Sequence, residues 1–188
     1  MSFSLLHLNV ERSKHADSVK NLLLTKKPDV VCFAEAMHKD VEILASSLNY
    51  NLAYAPRMVL GGGIEGDQEG SAILSKYPIL RVQKHRYDDG VLGGPPVYKN
   101  GDPGVGTTER PKDRFEDNYT FLTALIQLND RQTVTVATTH FPVTDHTTPG
   151  LEDHDIKNLQ NDVAIEKFEV VEGVSDHKAF LTILNVVK

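Results

Sequence analysis

"DVVCFAE", residues 29–35, is the stretch of the sequence that says most about the fold. It is a continuous β-branched and aromatic run, which is typical of a strand that is covered on both faces. Such a strand needs a further layer of the protein on each side. The run ends on a carboxylate, Glu35, so the segment that predicts the core also places a charged side chain at its edge.

Amphipathic helices are predicted before and after this strand. Apolar residues recur at helical spacing before it, namely Ala16, Val19, Leu22 and Leu23. Ser13 is the expected cap of that helix, which should end before Pro28. A second helix is expected around residues 38–48. Its apolar side is formed by Val41, Leu44, Ala45 and Leu48.

The other apolar runs of the chain predict strands. They cover residues 2–10, 50–55, 71–75, 77–85, 119–128, 133–141, 164–171 and 179–184. The runs at 119–128 and 133–141 flank "NDRQ" and predict a hairpin. Residues 57–70 are predicted as a loop or hairpin tip, in which the glycines serve turns rather than phosphate binding. Residues 88–118, rich in glycine and proline, are predicted as a long loop that is either functional or disordered.

The order of these elements predicts the fold class. Strand-helix-strand-helix followed mostly by strands favours an α/β (α+β) fold, in which sheets pack face to face with helices outside. The chain has 188 residues, and we expect them to form a single domain, residues 1–188.

Composition narrows the class of protein. The net charge of −6 argues against a protein that coats nucleic acid by charge alone, but it is compatible with an enzyme that meets phosphate through a metal ion. The single cysteine, Cys32, lies in an apolar run and is expected to be a core residue in a reducing compartment. The stretch "MSFSLLHLNVERSK" lacks the basic region with which a signal peptide begins, and its apolar part is too short for a signal peptide or a membrane span. We therefore expect a cytoplasmic protein.

Polar side chains stand at the ends of several apolar strands. Asn9 ends the first strand, Glu35 the second, and His140 follows "TVTVATT". Asp176 and His177 come directly before the last strand, within "EGVSDHKAFLTIL", residues 172–184. A single polar residue at such a position is usually a helix cap or a turn residue. Four strand ends with this feature indicate a site.

The chemistry of these side chains is consistent with one reaction. Glu35 offers the hard oxygen that Mg²⁺ prefers. Asn9 can accept a hydrogen bond from a metal-bound water or donate one to a phosphoryl oxygen. Two histidines can share acid-base work and stabilise charge on a transferring phosphoryl group. The set predicts metal-assisted hydrolysis of a phosphate ester.

Five motifs carry a resemblance to a known family. In chain order they are "LHLNV", "PDVVCFAEA", "GSAILSKYPI", "VTVATTHF" and "GVSDHKAFL". From residue 3 to about 184 the sequence resembles the endonuclease/exonuclease/phosphatase superfamily, which includes deoxyribonucleases, abasic-site endonucleases, inositol polyphosphate phosphatases and sphingomyelinases. The resemblance implies a four-layered sandwich, with two mixed β-sheets packed face to face, helices outside, and a metal site at one edge.

The resemblance also implies roles for individual residues. Glu35 matches the metal-binding glutamate, Asn9 the asparagine near metal and phosphate, and His140 the histidine that contacts the phosphate. Asp176 and His177 match the final Ser-Asp-His motif, in which the aspartate serves metal or water and the histidine is the general base or a phosphate ligand. The implied metal ligands are therefore Glu35, Asp176 and Asn9. The implied cofactor is Mg²⁺ or Mn²⁺, and the implied partner is a phosphate ester such as a nucleic acid or nucleotide.

The sequence departs from the family pattern between His140 and Ser175. The usual Asp-x-Asn and the aspartate that orients the last histidine are not evident there, although Asp162 is an alternative for the second of these. We expect an internal deletion near residues 162–165, which would remove two strands and expose sheet edges that natural proteins cover. Ser71, in the third motif, is assigned a packing role.

Two alternatives remain open from the sequence. One is a non-catalytic or impaired binding domain of the same fold, which the missing Asp-x-Asn favours. The other is a binuclear zinc hydrolase, suggested by "THFPVTDH", residues 139–146, although the spacing of His140 and Asp145 does not fit that motif. His146 and His154 are expected to be solvated loop residues.

Overall fold

A computed structural model of the protein describes residues 2–59, 68–86, 120–139, 163–175 and 178–186. In chain order the elements are β1 (Ser2–Asn9), α1 (Ala16–Lys26), β2 (Val30–Met37), α2 (His38–Leu48), β3 (Asn51–Val59), β4 (Gln68–Ser75), β5 (Ile79–Arg86), β6 (Thr120–Asn129), β7 (Gln132–Thr139), β8 (Val163–Val171) and β9 (Ala179–Val186).

The strands form two sheets. The large sheet has the order β3-β4-β2-β1-β9-β8, and the small sheet has the order β5-β6-β7. In the large sheet β1 and β2 are parallel, whereas the other neighbours are antiparallel. The small sheet is antiparallel. The large sheet is therefore mixed, as expected for a fold that combines a crossover helix with hairpins.

The large sheet is buried on both faces around β2. Val31 and Phe33 point to the cluster that contains the apolar sides of α1 and α2. Val30 and Cys32 point the other way, into a cluster shared with β6 and β7 of the small sheet. The prediction that this run is covered on both faces is confirmed, as is the α/β class with two sheets packed face to face and helices outside.

Helix α1 ends where the sequence predicted but begins differently. It closes on Lys27, which adopts a left-handed conformation directly before Pro28. The N-cap is His15 rather than Ser13, and the Ser13 hydroxyl instead donates a hydrogen bond to Asp40 at 2.5 Å. The predicted cap was wrong because residues 11–15 form a turn before the first helical residue, which places Ser13 too early in the chain to cap the helix.

Strands β3 and β4 extend into the segment 57–70 that was predicted as a loop. Gly70 lies in β4, so close to the backbone of β3 that a Cβ atom there would be 2.0 Å from the carbonyl oxygen of Ala55. Ser71 is buried in the same strand, in agreement with a packing role. The interior of this segment and residues 88–118 lie outside the described residues.

The inner face of the large sheet is only partly covered by the small sheet. Contacts between the sheets involve β2, β3 and β4, and the same face is exposed in β8 and β9. There Phe168 and Phe180 stack with their ring centroids 5.6 Å apart, and Phe168 is 56% exposed. The predicted deletion near residues 162–165 stays a prediction, since residue 162 lies outside the described part.

Neither α1 nor α2, the helices of the described residues, has the length and apolarity that a membrane crossing requires. The predicted cytoplasmic location stays a prediction.

Asp29, directly before β2, connects the start of that strand to β1. Its Oδ2 accepts hydrogen bonds from the amide and the hydroxyl of Ser4, at 2.9 and 2.8 Å, and Lys76 Nζ lies 3.2 Å from Oδ1. Burial raises the pKa of Asp29, but the Ser4 hydrogen bonds and the Lys76 ammonium outweigh burial, so the pKa lies below its ordinary value of 3.8. Ionised Asp29 therefore stabilises the fold.

The stability that Asp29 contributes should depend on pH. Because its pKa is lowered in the folded state, the contribution is present above the unfolded pKa of about 3.9 and is lost as the pH falls through the folded pKa. We expect Asp29→Asn to lower the free energy of unfolding by about 1 kcal/mol at pH 7 and to lower it less at acid pH. Urea unfolding across a pH series measures this.

Asp130→Asn, in the exposed turn between β6 and β7, is the matched control for this series. It removes the same charge and should leave the free energy of unfolding within about 0.5 kcal/mol of the unsubstituted protein. An Asp29→Asn effect that stays constant down to acid pH would contradict the assigned role of the ionised carboxylate.

Candidate active site

The directions of the strands bring several strand ends to one edge of the large sheet, which we call the site edge. Parallel β1 and β2 both end there. Because β4 is antiparallel to β2, and β9 is antiparallel to β1, the first residues of β4 and β9 lie at the same edge. Strand β3, antiparallel to β4, ends there too. Strand β8, antiparallel to β9, ends there as well. Topology alone therefore gathers six chain segments at the site edge.

Asn9 lies at the site edge beside β2. Its backbone pairs with Ala34 in the parallel register, and its side-chain Oδ1 accepts a hydrogen bond from the Glu11 amide at 3.0 Å. The following turn is strained, since Glu11 and Arg12 both have positive φ angles. The Arg12 amide donates to the carbonyl oxygen of Glu35 at 2.8 Å. This hydrogen bond holds the turn after β1 against Glu35, which was predicted to bind metal.

Glu35 occupies a bulge in β2. The pairing of β2 with β4 shifts register between Phe33 and Ala36, and Glu35 has a φ angle of 52°, in the left-handed region. Such a conformation is costly for a residue with a side chain, and it recurs where a strand must re-aim a side chain at a functional site. The sequence predicted that the strand ends at Glu35. It continues to Met37 because the bulge absorbs the irregularity.

Tyr54 supports this bulge from β3. Its hydroxyl lies 3.2 Å from the Ala36 carbonyl oxygen and 2.9 Å from the Gln68 carbonyl oxygen, and its ring packs at 4.5 Å from that of His38. Burial, together with the negative charge of Glu69, raises the pKa of Tyr54. The hydroxyl therefore stays protonated and can donate to the carbonyl groups beside the bulge.

The turn before β9 is attached to the end of β1. Ser175 Oγ donates a hydrogen bond to the carbonyl oxygen of Asn9 at 3.0 Å, and neighbouring Val174 is buried. Asp176 and His177 lie outside the described residues, but the residues on either side of them, Ser175 and Lys178, are described. The segment that carries Asp176 and His177 thus departs from and returns to the site edge.

His140 also lies outside the described residues, directly after the last residue of β7. Strand β5 begins shortly after β4 leaves the large sheet at Ser75, the edge opposite the site edge. Strand β7 runs in the same direction as β5, because each is antiparallel to β6. The Thr138 hydroxyl near the end of β7 lies against the thiol of Cys32. This thiol is buried, and burial raises its pKa to about 12. The end of β7 therefore packs on β2, the strand that carries Glu35.

A buried ion network completes the site edge. Glu69, at the start of β4, is fully buried. Its Oε1 accepts from Arg57 Nε at 2.9 Å and also from Arg57 Nη2, and its Oε2 accepts from Arg12 Nε at 2.6 Å. Sequence reasoning missed this network, since Arg57 and Glu69 fell in a predicted loop. Their mutual neutralisation is what allows both residues to lie in buried strands.

The donors at the site edge suit a hard cation in type. Asn9 and Glu35 present an amide and a carboxylate on adjacent strands, and oxygen donors of this kind are preferred by Mg²⁺. Within the described ranges, no group of three or more His, Cys, Asp or Glu side chains could hold a metal ion. Asp176, the third predicted ligand, falls outside those ranges, so the complete ligand set stays a prediction.

Comparison with known proteins agrees with this arrangement. The family model described as "Endonuclease/Exonuclease/phosphatase family" matches residues 4–169. The endonuclease/exonuclease/phosphatase from Bacteroides vulgatus is 13% identical, with a TM-score of 0.65, and the alignment covers 100% of each chain. A search of curated proteins found no match to this sequence.

Two further solved structures share the fold. D. rerio TDP2 complexed with single strand DNA product is 12% identical, with a TM-score of 0.62, over 98% of this chain and 99% of that chain. The human Nocturnin catalytic domain with bound sulfate anion is 10% identical, with a TM-score of 0.62, over 99% of this chain and 94% of that chain. At these identities the likeness shows the fold alone.

Removal of the Glu69 charge should destabilise the protein strongly. Glu69→Gln leaves the mostly buried Arg57 guanidinium without its carboxylate, and breaking a buried pair in this way costs about 3–5 kcal/mol. Denaturant unfolding measures the change. Glu172→Gln is the matched control, because Glu172 pairs with Lys178 on the surface. That substitution should change the free energy of unfolding by less than about 1 kcal/mol, and equal effects of the two would contradict a buried network.

Proposed function

The chain belongs to the endonuclease/exonuclease/phosphatase family, and we propose that it is a metal-dependent phosphoesterase that hydrolyses a phosphodiester or phosphomonoester. One observation carries the proposal. The hydrogen bond from Ser175 Oγ to the Asn9 carbonyl oxygen holds Ser175, the residue directly before Asp176, against the strand end that lies beside Glu35. Residues from distant parts of the chain thereby approach one edge.

Asn9, Glu35 and Asp176 would hold the metal in this proposal. Their oxygens suit Mg²⁺ or Mn²⁺ rather than a zinc site, which favours histidine and cysteine ligands. A bound divalent ion would supply positive charge to the phosphoryl oxygens as negative charge develops on them. The bulge at Glu35 fits this role, since the left-handed backbone turns the carboxylate out of the regular alternation of β2.

The two histidines would handle protons and phosphate. His177 accepts the proton of the attacking water, and His140 donates a hydrogen bond to a phosphoryl oxygen. Support comes from the positions of the neighbouring described residues. Ser175 is bonded at the site edge, and the end of β7, which precedes His140, lies against β2, the strand that carries Glu35.

We propose a nucleic acid or a nucleotide as the substrate class. A phosphodiester links each pair of nucleotides, and the site edge offers a phosphate-directed site on a protein of net charge −6. Such a protein does not attract nucleic acid by overall charge, so recognition would depend on the local site. The TDP2 structure with a single strand DNA product has the same fold, which is compatible with this class.

A second candidate is an impaired or non-catalytic binding domain of the same family. The observation in its favour is the uncovered inner face of β8 and β9, where Phe168 and Phe180 are exposed. A sandwich that lacks strands over this face would also lack the Asp-x-Asn that usually aligns the nucleophilic water. Such a chain would bind phosphate yet hydrolyse it poorly.

Metal dependence tests the proposed reaction. After chelation, we expect hydrolysis of a small phosphodiester such as bis(p-nitrophenyl) phosphate to return with Mg²⁺ or Mn²⁺ and not with Zn²⁺, because the proposed donors are hard oxygens. Full recovery with Zn²⁺ alone, lost in His146→Ala, would favour the binuclear zinc alternative. No hydrolysis with any metal, combined with retained phosphate binding, would favour the non-catalytic candidate.

Substitutions separate the proposed roles. His177→Ala should lower kcat by about 10²–10⁴, because it removes acid-base assistance, and excess metal should not restore it. Glu35→Gln should weaken metal affinity, so a high Mg²⁺ concentration should recover part of the lost rate. Steady-state assays over a Mg²⁺ titration measure both effects.

Lys178→Ala is the control for the His177 substitution, because it lies in the same turn and is exposed. Its kcat should remain within about twofold of the unsubstituted protein, as for an exposed surface position. Wild-type turnover in His177→Ala would show that the turn before β9 has no catalytic part.

A further inference from the structure

We propose that Arg12 binds a phosphoryl oxygen of the substrate, and that Glu69 and Arg57 position it for this purpose. The inference rests on the proposed function, to which it adds a specificity residue. Arg12 follows Asn9 closely in the chain, and its side chain is 52% exposed, whereas Glu69, to which it is bonded, is fully buried. One end of the contact is therefore fixed in the protein, and the other faces solvent at the site edge.

The backbone fixes Arg12 beside Glu35. Glu11 and Arg12 both adopt left-handed conformations, which are unfavourable for residues with side chains. The turn is held by two contacts, from the Glu11 amide to Asn9 Oδ1 at 3.0 Å and from the Arg12 amide to the Glu35 carbonyl oxygen at 2.8 Å. A costly turn held in this way places Arg12 next to Asn9 and Glu35, two of the three predicted metal-binding residues.

Arg12 is not required to neutralise the charge of Glu69. Arg57 already donates through two nitrogens to Glu69 Oε1 and neutralises the buried carboxylate. Arg12 binds the other oxygen, Oε2, through Nε. Arg12 is thus the second guanidinium group on one carboxylate. Of the two, Arg12 is the accessible one, because Arg57 is almost entirely buried.

The geometry of the contact leaves the phosphate-binding part of Arg12 accessible. Only Nε is bonded to a described residue, so the N–H groups of the terminal nitrogens can serve another acceptor. A guanidinium offers planar, paired donors that match two oxygens of a phosphate, and it stays charged at every physiological pH. Glu69 holds the guanidinium by one side and limits its rotation, so little freedom remains to be lost on binding phosphate.

Inorganic phosphate is the probe that tests Arg12 directly. Isothermal titration of the folded protein with phosphate, in the presence of Mg²⁺, should show an affinity that Arg12→Gln weakens by about 10-fold or more, since a charge-assisted hydrogen bond is lost. Lys39→Gln is the matched control. Lys39 is exposed near the start of α2, and removal of its charge should change the affinity by no more than about twofold.

Two conservative variants test the geometry. Arg12→Lys keeps the charge but loses the planar fork, and should give an affinity between those of the unsubstituted protein and Arg12→Gln. Glu69→Asp keeps the buried charge but withdraws the carboxylate from Arg12. It should weaken phosphate binding although Arg12 is still present, which a purely structural role of Glu69 would not produce. Circular dichroism at the titration temperature verifies that each variant is folded.

The outcomes distinguish this inference from the proposed function. If the protein hydrolyses phosphodiesters, but Arg12→Gln keeps its phosphate affinity and its kcat/KM, the inference about Arg12 is wrong and the phosphoesterase stands. If phosphate affinity falls in Arg12→Gln and the unsubstituted protein has no hydrolytic activity with any metal, Arg12 is a phosphate ligand and the proposed reaction is wrong. Failure of the unsubstituted protein to bind phosphate would overturn the inference.

Discussion

Strands β1 and β2 run parallel at the centre of the large sheet, and their partners on both sides run antiparallel to them. A parallel pair needs a crossover, which α1 supplies on one face of the sheet. Because of this pairing, both strands end at the same edge, while β4 and β9 begin there. Asn9 and Glu35 become neighbours for this reason, and the segment on either side of Asp176 and His177 returns to them. If β1 ran antiparallel to β2, Asn9 would lie at the opposite edge.

The site edge is also where the chain departs most from regular backbone. Glu11, Arg12 and Glu35 all have positive φ angles, and a bulge interrupts β2. These conformations cost free energy, and the rest of the fold supports them by long-range contacts, including the hydroxyl of Tyr54 and the buried carboxylate of Glu69. Positive φ angles at three residues of one edge, supported by long-range contacts, are typical of a functional site on a rigid scaffold.

The two halves of the large sheet differ in how they are covered. Where the small sheet lies over β2, β3 and β4, side chains such as Val30 and Ile73 are fully buried. The same face of β8 and β9 carries exposed Phe168 and Phe180. Exposed aromatic pairs of this kind are unfavourable in water. This asymmetry lies beside the proposed site, because β9 is the strand that follows Asp176 and His177.

By itself, the sequence determined the local elements, although several of their ends lie elsewhere than predicted. The run at residues 29–35 identified the central strand, and apolar periodicity located both helices, since period and composition depend only on neighbouring residues. The same reasoning, with the family motifs, singled out Asn9 and Glu35. The roles assigned to His140, Asp176 and His177 stay predictions. What only the tertiary structure decided is the network of Arg12, Arg57 and Glu69, together with the Ser175 contact to Asn9. Partners this far apart in the chain leave no local pattern. Arg57 and Glu69, taken alone, are typical of a solvated turn, and they become buried strand residues only because folding brings their opposite charges together.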